Sequence, residues 1–132
     1  MQLAKLSGFS PIIAMASPAN FSLVKALGAT HVVDRKLIGS LGVEVAKITS
    51  APVAHAYDAW SSVETQQVLH DLLAPRGRLA IVLSPQQVAA RDGKTVFFML
   101  GSVHLPANRA LGVSIFRALE GLLAEGAIKV RP

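Results

Sequence analysis

Short apolar runs alternate along this chain with segments whose apolar residues recur at helical spacing. Pro11-Ile12-Ile13-Ala14-Met15-Ala16, His31-Val32-Val33-Asp34, Val53 to Ala59, Leu79-Ala80-Ile81-Val82-Leu83 and Thr95 to Leu100 have strand length and composition. The first and fourth are continuous apolar runs, the pattern of strands buried on both faces. Helices fall between them. Phe21, Val24 and Leu27 form a stripe ended by Gly28, and Leu41 to Thr49 is a weaker helix interrupted early by Gly42. Thr65, Val68, Leu69, Leu72 and Leu73 fall at i, i+3, i+4, i+7 and i+8, which predicts an amphipathic helix with that stripe toward the core. Phe116, Leu119, Leu122 and Leu123 share one face of a long final helix, with Gly126 beyond it.

The connections carry their own signals. Met1 to Leu6 reads as the last turns of a helix stopped at Gly8. Ser17-Pro18 is a helix start, Pro75-Arg76-Gly77 a turn, and Val88 to Lys94 a polar loop. Ile128-Lys129-Val130 opens a further segment. Strand–helix alternation of this kind predicts an α/β fold with a parallel sheet and flanking helices. The 132 residues fit one domain, spanning 1–132.

Composition narrows the function classes. Hydrophobic residues make up 52% with a mean hydropathy of +0.47, yet no apolar run reaches the roughly 18 residues of a membrane span. The start, Met1-Gln2-Leu3-Ala4-Lys5, lacks the apolar core of a signal peptide, so a cytoplasmic location is the expectation. Without cysteine there are no disulfides, thiolate metal sites or cysteine nucleophiles. The net charge of +5 comes from scattered residues, and aromatics are only 5%, which argues against a nucleic-acid face. It reads as a solvated surface with room for an anionic small molecule. His31, His55, His70 and His104 show no paired metal-ligand spacing, so no zinc site is expected. His70, beside Asp71 on its helix, reads as exposed, and His104 lies nearest the predicted ligand face. No G-x-S-x-G elbow is present.

Several motifs then recur in one order: Gln2-Leu3-Ala4-Lys5, Ser17-Pro18-Ala19-Asn20-Phe21, and Val24-Lys25-Ala26-Leu27-Gly28-Ala29. Tyr57-Asp58-Ala59, Leu72-Leu73-Ala74-Pro75-Arg76-Gly77, Leu100-Gly101-Ser102-Val103-His104 and Leu122 to Val130 follow. This series resembles the medium-chain dehydrogenase/reductase superfamily, in its zinc-independent branch of quinone-reductase-like enzymes and fungal trans-acting enoyl reductases. The resemblance spans essentially the whole chain. It implies a partial Rossmann-like cofactor domain whose first strand and glycine-rich turn lie outside this sequence, together with the family's catalytic domain. That turn and its helix N-terminus normally hold the pyrophosphate, so nucleotide binding is expected to be weakened. The strands at Ile12 and Val53 would each keep an unpaired inner edge, prone to join another chain.

The resemblance also implies site residues and a cofactor, NADP(H). Ser17 ends the strand where NAD-dependent enzymes place an acidic residue. It and Asn20 would sit near a 2′-phosphate with Lys25 as a further candidate, and Ser17 reads equally as a plain helix cap. Ala59 and Trp60 follow the Val53 strand, near adenine and ribose. Trp60 is read first as a cover for the core, with stacking on the base as the other reading. Leu83-Ser84-Pro85 and Gly101, Ser102 and Val103 would meet the nicotinamide carboxamide through backbone groups, with Gly101 allowing close approach or a strand-end turn. Asp58 is expected to cap its turn. No residue is assigned a catalytic role.

Thr95 to Leu100 resembles the family's dimer edge, so a homodimer is expected there or through the inner strands. The implied function is an NADP(H)-binding part of an enoyl or quinone reductase, inactive by itself. The competing reading is a non-catalytic dimeric interaction protein that binds other proteins, or a carbohydrate or cell-surface partner.

Overall fold

A computed structural model describes residues 1–84 and 92–130. The predicted loop at Val88 to Lys94 therefore lies largely outside the described residues, as does Pro85. The element order is α1 Gln2–Leu6, β1 Ile13–Ala16, α2 Phe21–Ala26, β2 His31–Asp34, α3 Leu41–Ala46, β3 His55–Asp58, α4 Val63–Leu72, β4 Arg78–Ile81, β5 Thr95–Phe98 and α5 Pro106–Ala124. All five predicted strands form: β2 has the predicted bounds, β1, β3 and β5 are shorter than predicted, and β4 starts one residue earlier and ends two earlier. The chain divides into two compact units, Met1–Arg35 with Gly101–Pro132, and Lys36–Leu100.

In the first unit β1 and β2 pair in parallel, Ile13 opposite His31 through Ala16 opposite Asp34. Thr30 locks the start of the ladder: its hydroxyl accepts the Ile12 N–H at 2.9 Å and donates to the Ile12 carbonyl at 3.0 Å. The sequence predicts β1 buried on both faces, yet its four residues are all only half-buried. Among the described residues β2 is its sole ladder partner, so β1 lacks the second flanking strand that encloses an inner parallel strand. α2 ends at Gly28 in a left-handed conformation, φ 106°. The stretch after α5 forms no strand among the described residues. Instead the Gln2 amide pairs with the Lys129 backbone, accepting its N–H at 2.7 Å and donating to its carbonyl at 3.0 Å.

The second unit holds a three-stranded parallel sheet in the order β3-β4-β5. Leu73, Leu79 and Ile81 form its core, with Val53, Ala56, Leu69 and Val96 packed against them. The face of α4 differs from the expected stripe. Its buried residues are Gln66 and His70, in line with Leu73 beyond its end, whereas Thr65, Val68, Leu69 and Leu72 are only half-buried. His70, read from sequence as exposed, is 2% exposed. The helix is rotated toward its polar residues because Gln66 finds acceptors at the sheet's end, which offsets the cost of burying an amide. On the other face of the sheet Tyr57, Ala80 and Phe97 stand in one row, and both aromatics are exposed. No helix of the described residues is long and apolar enough to cross a membrane.

Candidate functional site

Parallel strands deliver their loops to the carboxyl end of the sheet, and open α/β sheets bind ligands there. In the second unit that end is built around a buried carboxylate. Asp58 Oδ1 accepts the backbone N–H groups of Trp60 at 3.0 Å and Ser61 at 2.7 Å. Its Oδ2 accepts the Thr65 hydroxyl at 2.6 Å. Asp58 thus caps the turn, as the sequence suggests. Ser62 starts α4 by accepting the Thr65 N–H at 3.1 Å, which satisfies one of the helix's first free donors.

Ser61 holds the left-handed conformation, φ 55°. From there its hydroxyl donates to the Asp58 carbonyl at 2.8 Å and accepts the Val82 N–H at 2.9 Å. The regular pairing of β3 with β4 runs to Asp58 opposite Ile81. One residue further a side-chain hydroxyl fills the gap between the chains, so the strands part there. Gln66 crosses behind, its amide donating to the Ser61 carbonyl at 3.0 Å and the Ser84 carbonyl at 3.3 Å.

This framework leaves Ala59, Trp60 and Leu83 exposed at the carboxyl end of the sheet. Trp60 is 73% exposed, so it does not cover the core as first read. Its N–H is tied inward to Asp58 while the residue as a whole faces solvent.

In the first unit, Ser17 follows β1 directly. It occupies the N-cap position of a 3-10 turn, Pro18–Asn20, but no backbone N–H donates to its side chain. Its hydroxyl accepts from the Asn20 side-chain amide at 3.1 Å instead. The side chain therefore does not cap. The residue that follows β1 is thus neutral, while Asp34 closes the neighbouring strand opposite Ala16. Lys25 is exposed in the last turn of α2, at the other end of that helix from Ser17.

Also in the first unit, Gly101 is exposed, and an added Cβ would meet nothing within 4 Å. Its φ lies outside the left-handed region, so neither a turn nor packing within the chain demands glycine there. The Ser102 carbonyl accepts the Asn108 side-chain amide at 3.1 Å. Val103 packs on Gly112 of α5, where a Cβ would come within 2.7 Å of its Cγ1. The structure thus brings Ser17 together with Asn20, and sets Ala59, Trp60 and Leu83 on one framework. Sequence reasoning missed Gln66 and the hydrogen-bonding roles of the Ser61 and Thr65 side chains, and it named Ser84 only for its backbone. The spacing Ser62-x-x-Thr65 and a glutamine on the core side of a helix are the signals that point to them.

Comparison with known proteins places the fold. The model of the zinc-binding dehydrogenase family matches residues 1–115. The chain belongs to that family. It is a member of the medium-chain dehydrogenase/reductase superfamily, and its α/β architecture is the Rossmann-like nucleotide-binding fold of that group. The trans-enoyl reductase RAP2 of Pyricularia oryzae is 28% identical over 149 residues, covering 100% of this chain and 42% of that protein. The CurK enoyl reductase has a TM-score of 0.75 at 21% identity, covering 99% of this chain and 41% of its own. The nucleotide-binding subdomain of the enoylreductase domain of PpsC from Mycobacterium tuberculosis has a TM-score of 0.72 at 18% identity, covering 98% of this chain and 76% of its own. The chain spans about two fifths of the length of RAP2.

The family's description raises zinc. Among the described residues no three His, Cys, Asp or Glu side chains gather where they could hold a metal ion. Zinc does not fit the described residues. A nicotinamide dinucleotide is the cofactor of the family. Within the first unit Gly101 has open space and Ser17 and Asn20 form a neutral polar pair; within the second Trp60 is exposed.

Proposed function

We propose that this chain is the NADP(H)-binding part of a reductase acting on the activated double bond of an enoyl or quinone substrate, with residues 1–132 serving as one nucleotide-binding domain. The observation that carries the choice of NADP(H) is the end of β1. There a hydroxyl, already paired to the Asn20 amide, stands where a carboxylate would repel a 2′-phosphate. Ser17 and Asn20 offer that phosphate hydrogen bonds, and Lys25 adds positive charge. Ala59 and Trp60 receive the adenosine, and the backbones of Leu83, Gly101, Ser102 and Val103 receive the carboxamide. When bound, the nicotinamide supplies the hydride, while the chain's residues bind and orient.

By itself the chain is expected to show little or no reductase activity. Its β5 edge is the proposed homodimer contact: β5 has one ladder partner among the described residues, and Phe97 to Leu100 are exposed. A cytoplasmic location goes with this reading.

Titration of the full chain with NADPH, NADH and 2′-phospho-ADP-ribose, followed by Trp60 fluorescence and calorimetry, tests the proposal. Saturable binding that prefers the 2′-phosphate supports it. No binding at millimolar ligand defeats it. With a concentration-dependent dimer by sedimentation, that result favours a non-catalytic interaction protein, a reading supported by the exposed Tyr57 and Phe97 flanking Ala80.

A further inference from the structure

Gln66 is wholly buried on the core side of α4, where a leucine or methionine would pack with no polar group to satisfy. An amide is costly there unless it is hydrogen-bonded. Its Nε2 carries two protons, and it reaches two carbonyls on different loops: Ser61 after β3 and Ser84 after β4. Ser61 is also the residue whose hydroxyl accepts the Val82 N–H. These three bonds close a ring, running from Gln66 to Ser61, on to Val82, along the chain to Ser84, and back to Gln66. Trp60 precedes Ser61, and Leu83 lies between Val82 and Ser84. The ring therefore joins the two exposed arms of the candidate site at their roots.

We infer that Gln66 is a positioning residue that locks the loop after β3 to the loop after β4, so that the Trp60 and Leu83 arms hold their spacing as one body. The ligand it serves rests on the cofactor reading above; the tie itself does not. Opening at either loop breaks a bond that the other loop needs, so the two open together. A ligand that steadies Trp60 then also steadies Leu83, a coupling that acts in both directions.

The experiment uses the full chain and two variants. Gln66→Met keeps the shape and removes both donors. Gln66→Glu offers only acceptors when ionised at alkaline pH and regains one O–H donor when protonated; burial and the two facing carbonyls shift that protonation to a pH above the usual carboxylate range. Amide hydrogen exchange, corrected for intrinsic rates, is read at Trp60, Ser61 and Val82 against Leu79 and Ile81 in β4. The expected result for Gln66→Met is a rise of about tenfold at Ser61 and Val82, with Leu79 and Ile81 little changed. For Gln66→Glu, protection at those two sites recovers on acidification, which a packing role would not produce. If Gln66→Met does not fold, the pH response of Gln66→Glu decides. A uniform rise at all sites, no rise, or no recovery on acidification overturns the inference.

A second arm adds 2′-phospho-ADP-ribose to the unaltered chain and to Gln66→Glu, both at alkaline pH. Protection that spreads from Trp60 to Val82 only in the unaltered chain supports the coupling, and equal spread in both overturns it. If the unaltered chain binds no nucleotide, the cofactor reading fails, and the ligand-free exchange still decides the tie.

Discussion

The hydroxyl of Ser61 serves Val82 as a strand carbonyl would, accepting its N–H at 2.9 Å just beyond the last regular rung of the ladder between β3 and β4. Because the same hydroxyl donates to the Asp58 carbonyl, it bridges two strands with one side chain. The chain reaches this position only through a left-handed φ of 55°. Conformation and chemistry therefore oppose each other, since glycine would relieve the first and lose the second.

Two substitutions separate them. Ser61→Ala leaves the Val82 N–H and the Asp58 carbonyl without that partner and keeps the left-handed cost. We expect a loss of about 2–3 kcal/mol. Ser61→Gly loses the same bonds but relaxes the backbone, and should recover about 1 kcal/mol relative to alanine. Urea unfolding of both variants checks this, and an alanine variant as stable as the glycine one would show that backbone strain contributes nothing.

Asp58 anchors the same turn through three bonds, so its carboxylate should matter more as an acceptor than as a charge. Asp58→Asn keeps one carbonyl oxygen for the two N–H groups, and its new amide can donate to the Thr65 hydroxyl. Its cost should be about 1 kcal/mol, against about 2–3 kcal/mol for Asp58→Ala. Equal losses in thermal unfolding would point to the charge.

Much of this was legible in the sequence. The five strands and their helices announce themselves through the alternation of apolar runs with helical stripes. The β1 run Ile13-Ala14-Met15-Ala16 misleads on burial, since the sequence of a strand does not say whether both flanking strands are at hand. The stripe on α4 misleads on rotation. Periodicity ranks Val68 and Leu72 above Gln66 and His70, and only the carbonyls of Ser61 and Ser84 reveal why an amide goes inward. The candidate residues at strand ends were legible by position. What holds them, a network of short polar side chains, was not, because its members lie far apart in sequence and none has a distinctive motif.

His70 is buried beside Gln66 without a comparable reward. Neither ring nitrogen has a hydrogen-bond partner among the described residues, and the Asp71 carboxylate, at 3.7 Å, is too distant to accept. Lys94 donates to the backbone carbonyl of His70. Replacing the ring by an apolar side chain removes two unsatisfied polar atoms and keeps that bond. His70→Leu should therefore be neutral or more stable by about 1 kcal/mol. A clear loss in chemical denaturation would mean that the ring's shape, or a water on its nitrogens, outweighs this.

Asp71 titrates where the fold favours its charge. The Gln67 amide, donating to it at 2.9 Å, is the main cause that holds its carboxyl below the usual carboxylate range, with His70 and Lys94 assisting. A depressed folded value means the contribution is complete above the unfolded value of about 3.9 and fades as pH falls through the folded one. In Gln67→Ala the Asp71 titration, followed by NMR, should move up toward the unfolded value. An unmoved midpoint would assign the shift to His70 and Lys94.

Gly101 offers the sharpest separation of fold from function. A methyl group added there meets nothing within 4 Å, and its φ makes no demand for glycine. Gly101→Ala should therefore leave stability within about 0.5 kcal/mol, the range of an ordinary surface change. Gly112→Ala, whose Cβ would come within 2.7 Å of Val103, should cost about 1–3 kcal/mol. If the Gly101 backbone lies against the nicotinamide, the methyl group will interpose at the contact. NADPH affinity should then fall about tenfold, roughly the effect of 1.4 kcal/mol, while 2′-phospho-ADP-ribose, which lacks the nicotinamide, binds as before. A Gly101→Ala chain that binds both ligands as the unaltered chain does would remove Gly101 from the site. One that loses both equally would place it near the phosphates instead.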